Sequence, residues 1–145
     1  MVSVRSRHDR IATRLSNAIY RGDIVLELTV PEDPGRDRPD IVVRDGTRVT
    51  IIDIACLFEN DENALQTAAD RKVEKYQYLI PHFATQCLTA KVFPFIVGAL
   101  GVWFHSNESV LNELRISHRY RTLFRKLCCA DTIQGSRYLY INHLN

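Results

Sequence analysis

The sequence predicts an α/β fold: a mixed central β-sheet flanked by helices, with extra helices toward the C-terminal end. Three observations lead there. Two β-rich runs, Asp40-Ile41-Val42-Val43-Arg44 and Arg48 to Phe58, are joined through Asp45-Gly46, and a DG-type turn between such runs is the strongest short-range hairpin signal. The second run is apolar on both faces apart from Thr50 and Asp53, which marks a central, covered strand. An amphipathic helical stretch and then a Val-, Phe- and Ile-rich run come next, and a strand, helix, strand succession returns the last strand to the same sheet.

At 145 residues and 46% hydrophobic content, the chain is long enough for one domain with a core of its own. A net charge of +2 is only mildly basic, so any preference for a polyanion depends on where the charges lie. The four cysteines, Cys56, Cys87, Cys128 and Cys129, form no CxxC pair and have no histidine at zinc-finger spacing; they are expected as reduced, mostly buried thiols. The first residues are charged and no apolar stretch reaches about eighteen residues, so neither a secretory signal nor a membrane span is expected. Cytoplasm and nucleus both stay open.

From about Arg5 to Tyr20, Ile11, Leu15, Ala18 and Ile19 mark an amphipathic helix that ends near Gly22. Arg7, Arg10, Arg14 and Arg21 fall along one side of it. That strip is either a phosphate-backbone contact or an ordinary solvated face. His8 falls on the apolar side, where a hydrogen-bonded core residue is expected, and Asp9 points away from both stripes. Asp23 to Val30 alternates and reads as a strand beside the hairpin. The Pro- and Gly-rich segment Pro31 to Pro39 is a loop, and Pro39 keeps Arg38 extended, so that Arg36 and Arg38 are within reach of a phosphate near Asp40.

A second helix is expected from Asp61 to Ile80, stopped by Pro81, with Leu65, Ala68, Ala69, Val73, Tyr76, Leu79 and Ile80 on one face. Pro94 makes the run Ala90 to Leu100 an edge or bulged strand. Ser106-Asn107 offers a helix start for Val110, Leu111, Leu114 and Ile116. His118 to Cys129 reads as a last helix, with Tyr120, Leu123, Phe124, Leu127 and Cys128 inward and Arg119, Arg121, Arg125 and Lys126 outward. The tail, Asp131 to Asn145, is expected to be ordered around Ser136 to Tyr140.

The chemistry concentrates between Arg38 and Tyr78. A carboxylate in a covered strand is costly unless something pairs with it, and Asp53 stands in such a strand beside Asp40 of the preceding one. Two acids held together raise each other's pKa unless a cation sits between them. A hard divalent ion resolves that conflict: Mg²⁺ takes one or two carboxylates, waters and substrate phosphate oxygens, the arrangement used for phosphodiester hydrolysis. The plainer reading makes Asp40 a strand cap and Asp53 a partner for a neighbouring backbone group. Lys72 falls inside the apolar stripe of the second helix, where it either runs out to solvent along its stem or aims an ammonium at the acids. Lys75, at the stripe's edge, is its rival. Glu59 either positions a water or begins the turn before the helix.

Arg38-Pro39-Asp40, twelve residues, Asp53, then Lys72-Val73-Glu74-Lys75-Tyr76-Gln77-Tyr78-Leu79 resembles the restriction-like endonuclease domain near the C-terminus of site-specific non-LTR retrotransposon proteins, a branch of the PD-(D/E)XK nucleases. Arg7-His8-Asp9, Phe58-Glu59 and Val97 to Gly101 extend the resemblance over most of the chain. Ala55 departs from the wider nuclease pattern, which has lysine two residues after the second acid; in the retrotransposon branch that lysine lies on the following helix, where Lys72 and Lys75 stand.

The resemblance implies a restriction-endonuclease-like core over 1–145, as a C-terminal piece of a longer reverse-transcriptase polyprotein working in the nucleus. It implies Mg²⁺, with Mn²⁺ as a substitute, on Asp40 and Asp53, a lysine at Lys72 or Lys75 beside the activated water, and DNA held through Arg7, Arg10, Arg14 and Arg38. The expected reaction nicks target DNA and exposes a 3′-hydroxyl that primes reverse transcription by the polymerase region of the parent polyprotein. Two alternatives remain: an inactive nucleic-acid-binding module with a nuclease fold, and a stand-alone resolvase-like nuclease acting on branched DNA.

Overall fold

A computed structural model describes residues 4–20, 22–26, 38–58, 61–98 and 101–130. Their order is α1 (Val4–Ala18), β1 (Asp23–Leu26), β2 (Ile41–Asp45), β3 (Arg48–Leu57), α2 (Glu62–Tyr76), α3 (Leu79–Ala84), β4 (Thr89–Gly98) and α4 (Asn107–Glu113), followed by a helical segment over 118–130. The expected strand residues 27–30, Arg21, Arg36, Glu59 and the tail 131–145 lie outside the described residues.

The four strands form one mixed sheet in the order β1-β2-β3-β4, antiparallel between β1 and β2 and between β2 and β3, parallel between β3 and β4. The hairpin turn is the two residues Gly46-Thr47, since Asp45 still pairs with Arg48. Gly46 has φ +62°, which suits the first central position of a tight hairpin turn. Gly22, at φ +90° between α1 and β1, is equally constrained: a Cβ there would lie 2.7 Å from the Arg44 carbonyl oxygen.

Strand alternation sends successive side chains to opposite layers. Ile41, Val43, Ile52, Ile54, Phe95 and Val97 face α1, α4 and the last helix, against Ile11, Leu15, Val110, Leu111 and Phe124. Val42, Val49, Ile51 and Ala90 face the other way onto Tyr76, Leu79 and Phe83 of α2 and α3. The result is a four-stranded mixed sheet flanked by helices, compatible with a restriction-endonuclease-like core. β3 is central, as its two-sided apolarity predicts, and β4, the strand with Pro94, lies at an edge of the sheet.

Two expectations are corrected. Pro81 does not end the second helix; it sits in the first turn of α3, and the helix breaks upstream at Gln77-Tyr78. A proline lacks the N–H that would bond to the carbonyl four residues earlier and its ring crowds that carbonyl, which here is Gln77, so the interruption falls one turn before the proline. The last helix is rotated from its expected phase. Arg121, read as outward, is buried, while Tyr120 and Leu123 are exposed. The Arg121 guanidinium donates to the carbonyls of Ile116 (2.8 Å), in the connection after α4, and Leu111 (3.2 Å), in the last turn of α4, so its buried donors are paired with backbone acceptors.

Candidate active site

The register places Ile41 opposite Ile52, so Asp40, one residue before β2, flanks Asp53 of β3. The backbone N–H of Asp40 donates to Asp53 Oδ1 (3.2 Å), and the N–H of Ile54 donates to Asp40 Oδ2 (2.7 Å). Each acid is thus fixed by the other's strand. Lys72 enters from α2 with its Nζ 2.6 Å from Asp53 Oδ2, and Asp53 is almost fully buried while Lys72 is partly so. Of the two readings of Lys72, the structure shows the inward one. Lys75, on the exposed side of the same helix, lies with its ammonium 5.5 Å from the centre of the Tyr76 ring.

Tyr76 completes the frame. Its ring is buried in the α2 layer and its hydroxyl donates to the Arg38 carbonyl (2.8 Å), so the helix that presents Lys72 also pins the residue two before Asp40. Pro39 is buried and the Arg38 side chain is exposed.

A residue that sequence reasoning assigned no site role joins them. His8 of α1 has Nε2 2.9 Å from Asp40 Oδ2 and Nδ1 3.2 Å from Asp9 Oδ1. It is hydrogen-bonded, as expected, but at the site rather than inside the core. The available signal was its i, i+3, i+7 relation to Ile11 and Leu15, which puts it on the face of α1 that meets the sheet. Asp9 meets the site through His8 Nδ1.

The charges are strongly coupled. Burial, then the hydrogen bond and negative charge of Asp40, push Asp53 up to about 7 despite Lys72. Burial also opposes ionisation of Asp40, but its hydrogen bonds, led by that with His8, outweigh it and hold the carboxyl below its ordinary value. Its hydrogen bond with Asp40 raises His8 to about 9 against the effect of burial. Burial lifts the Cys56 thiol to about 11, so it stays a thiol near neutral pH.

The four arginines expected to hold DNA differ in exposure. Arg10 and Arg38 are exposed and Arg14 is partly buried, but Arg7 is fully buried, with its guanidinium 4.8 Å from the centre of the exposed Phe58 ring. The expectation that Arg7 lies on a phosphate-facing surface is therefore corrected: its position on α1 turns it under the end of β3. Among the described residues no helix is long and apolar enough to cross a membrane.

No protein-family model matches the chain. It is similar to the retrovirus-related Pol polyprotein from type-1 retrotransposable element R2 of Popillia japonica, with 26% identity over 124 residues that cover 81% of this chain and 26% of the polyprotein. The chain spans about a quarter of that relative's length. That similarity supports a relationship to a retrotransposon polyprotein.

Proposed function

We propose that the chain is a metal-dependent DNA endonuclease domain of a retrotransposon-type polyprotein, acting beside a reverse transcriptase region and nicking one strand to expose a 3′-hydroxyl. The observation that supports this most is the convergence of Asp40, Asp53 and Lys72 from two strands and a helix, in the order that the resemblance requires, together with the similarity to a Pol polyprotein.

The residues fit a hard divalent ion. Both donors are carboxylates, and Asp53 is a buried acid whose ionisation is held back by desolvation and by Asp40, so it has the most to gain from a neighbouring cation. Asp40 keeps Oδ1 outside the two bonds made by Oδ2. Two carboxylates suit Mg²⁺, an ion that relies on few protein ligands and on waters and phosphate oxygens. When bound, such an ion supplies Lewis-acid polarisation of the phosphate and a lowered pKa for water. Asp40 and Asp53 would hold it. Lys72, already at Asp53, would orient the attacking water and offset charge on the phosphate.

The test is conversion of supercoiled plasmid to open circles with Mg²⁺ or Mn²⁺. Asp40→Ala is expected to bind DNA yet lose nicking by at least about 100-fold, the order seen when a principal charge-stabilising group is removed. Lys72→Met should fall similarly and Lys75→Met should stay near wild type. Undiminished nicking by Asp40→Ala removes the proposal. Salt-dependent DNA binding by the wild type with no cleavage under either ion would favour an inactive binding module, a reading suggested by the backbone N–H groups already bonded to Asp40 Oδ2 and Asp53 Oδ1.

A further inference from the structure

We infer that His8 is a positioning residue for the proposed cleavage reaction, holding the Asp40 carboxylate from the α1 side through Oδ2 in the orientation in which it would meet the cation. This rests on the nuclease reading above. Asp40 stands at the end of a loop, one residue before β2, so the strand alone does not fix its side chain. Two donors do: the Ile54 N–H from β3 at 2.7 Å and the His8 ring from α1 at 2.9 Å, both on Oδ2. The position of the ring is set in turn by the core. His8 precedes Ile11 and Leu15 on one face of α1, and both are fully buried in the core cluster that also holds Ile52 and Ile54, the neighbours of Asp53. Asp9 Oδ1 faces the other ring nitrogen at 3.2 Å, so both nitrogens point at carboxylate oxygens and Nε2 is the donor toward Asp40. Outer partners of this kind fix the orientation of metal-binding carboxylates, and their removal typically costs about 10–100-fold in metal affinity or activity.

The experiment compares His8→Phe, which keeps ring volume and loses the donor, with His8→Gln, whose amide nitrogen takes the place of Nε2. Both are studied in the full chain, with melting curves to confirm folding. Two quantities are read: Mn²⁺ affinity of the DNA-free protein by electron paramagnetic resonance, and kcat and KM for plasmid nicking. His8→Phe is expected to bind Mn²⁺ about 10–100-fold more weakly and to lose a similar factor in kcat with KM for DNA unchanged. His8→Gln should recover most of both. Folded His8→Phe with wild-type Mn²⁺ affinity and kcat overturns the positioning role alone, as does a loss confined to KM or a folded His8→Gln no better than His8→Phe. Wild-type protein that neither takes up Mn²⁺ nor nicks overturns the nuclease reading and this role with it.

Discussion

At the scale of single residues the site is a balance of protons, and that balance makes a prediction that needs no substrate. Asp53 keeps its proton up to about pH 7 in the folded chain but releases it near 3.8 when unfolded. Between those values the folded state binds the extra proton, so stability falls as pH rises. His8 acts in the same direction over a higher range: its raised value stabilises the fold fully below 6.5, and that contribution is lost as pH climbs through about 9. Asp40 acts oppositely, but only in acid, because its pKa is lowered. Urea unfolding with chelator present should therefore find the wild type less stable at pH 7 than at pH 5, and Asp53→Asn should flatten that difference; equal slopes in the two proteins would contradict the assignment. Asp53 and Lys72 were legible in the sequence because each breaks an apolar pattern, one in a covered strand and one in a helical stripe. His8 and Arg7 were not, since a helical wheel separates apolar from polar faces without saying which loop or strand end each face will meet. His8 finds its partner 32 residues away, and Arg7 slides under Phe58.

At the scale of elements, periodicity located strands and helices well, and errors arose where one long-range contact outweighed it. The last helix is the clearest case: counting apolar residues selected a stripe through Tyr120 and Leu123, whereas the carbonyls of Leu111 and Ile116 draw in Arg121 and rotate the buried face to Arg121, Phe124 and Cys128. Asn107 is a second case, chosen from the sequence only as part of a helix start. In the structure it is fully buried, its amide donating to the Ile96 carbonyl (2.7 Å) and accepting from the Ile96 N–H (2.9 Å). It thereby supplies to β4 what another strand would, at the edge that Pro94 foretold. Asn107→Ala leaves both Ile96 groups buried without that partner and should destabilise the protein by about 2–4 kcal/mol, a melting-temperature loss on the order of 10 °C. Glu108→Ala, one residue on, removes partly exposed contacts to Trp103 and Arg125 and should cost no more than about 1 kcal/mol. Comparable losses in the two variants would mean that the Asn107 bonds do not secure the edge.

Over the whole molecule, the fold was legible because one hairpin and one covered strand limit how the rest can pack: a strand apolar on both faces needs a helical layer on each side, and α1 with the helices after β4 forms one while α2 and α3 form the other. The nucleic-acid surface was less legible, since a net charge of +2 says little about where a polyanion would settle. Burial now separates the four arginines assigned to that surface. Arg10 and Arg38 are exposed, and they belong to α1 and to the loop end that supply His8 and Asp40, while Arg7 is fully enclosed. If the chain binds DNA at this site, each phosphate contact contributes about −0.9 to the slope of log affinity against log salt. Arg10→Ala and Arg38→Ala should each make that slope shallower by about one, with little change in melting temperature. Arg7→Ala should do the reverse, leaving the slope unchanged while lowering the melting temperature, because its loss empties a packed position beneath Phe58 rather than a phosphate contact. Fluorescence anisotropy with a labelled duplex over a range of salt concentrations measures the slopes. A steep loss for Arg7→Ala at unchanged stability would put Arg7 back on the binding surface, and unaltered slopes for both Arg10→Ala and Arg38→Ala would place the DNA on another face of the molecule.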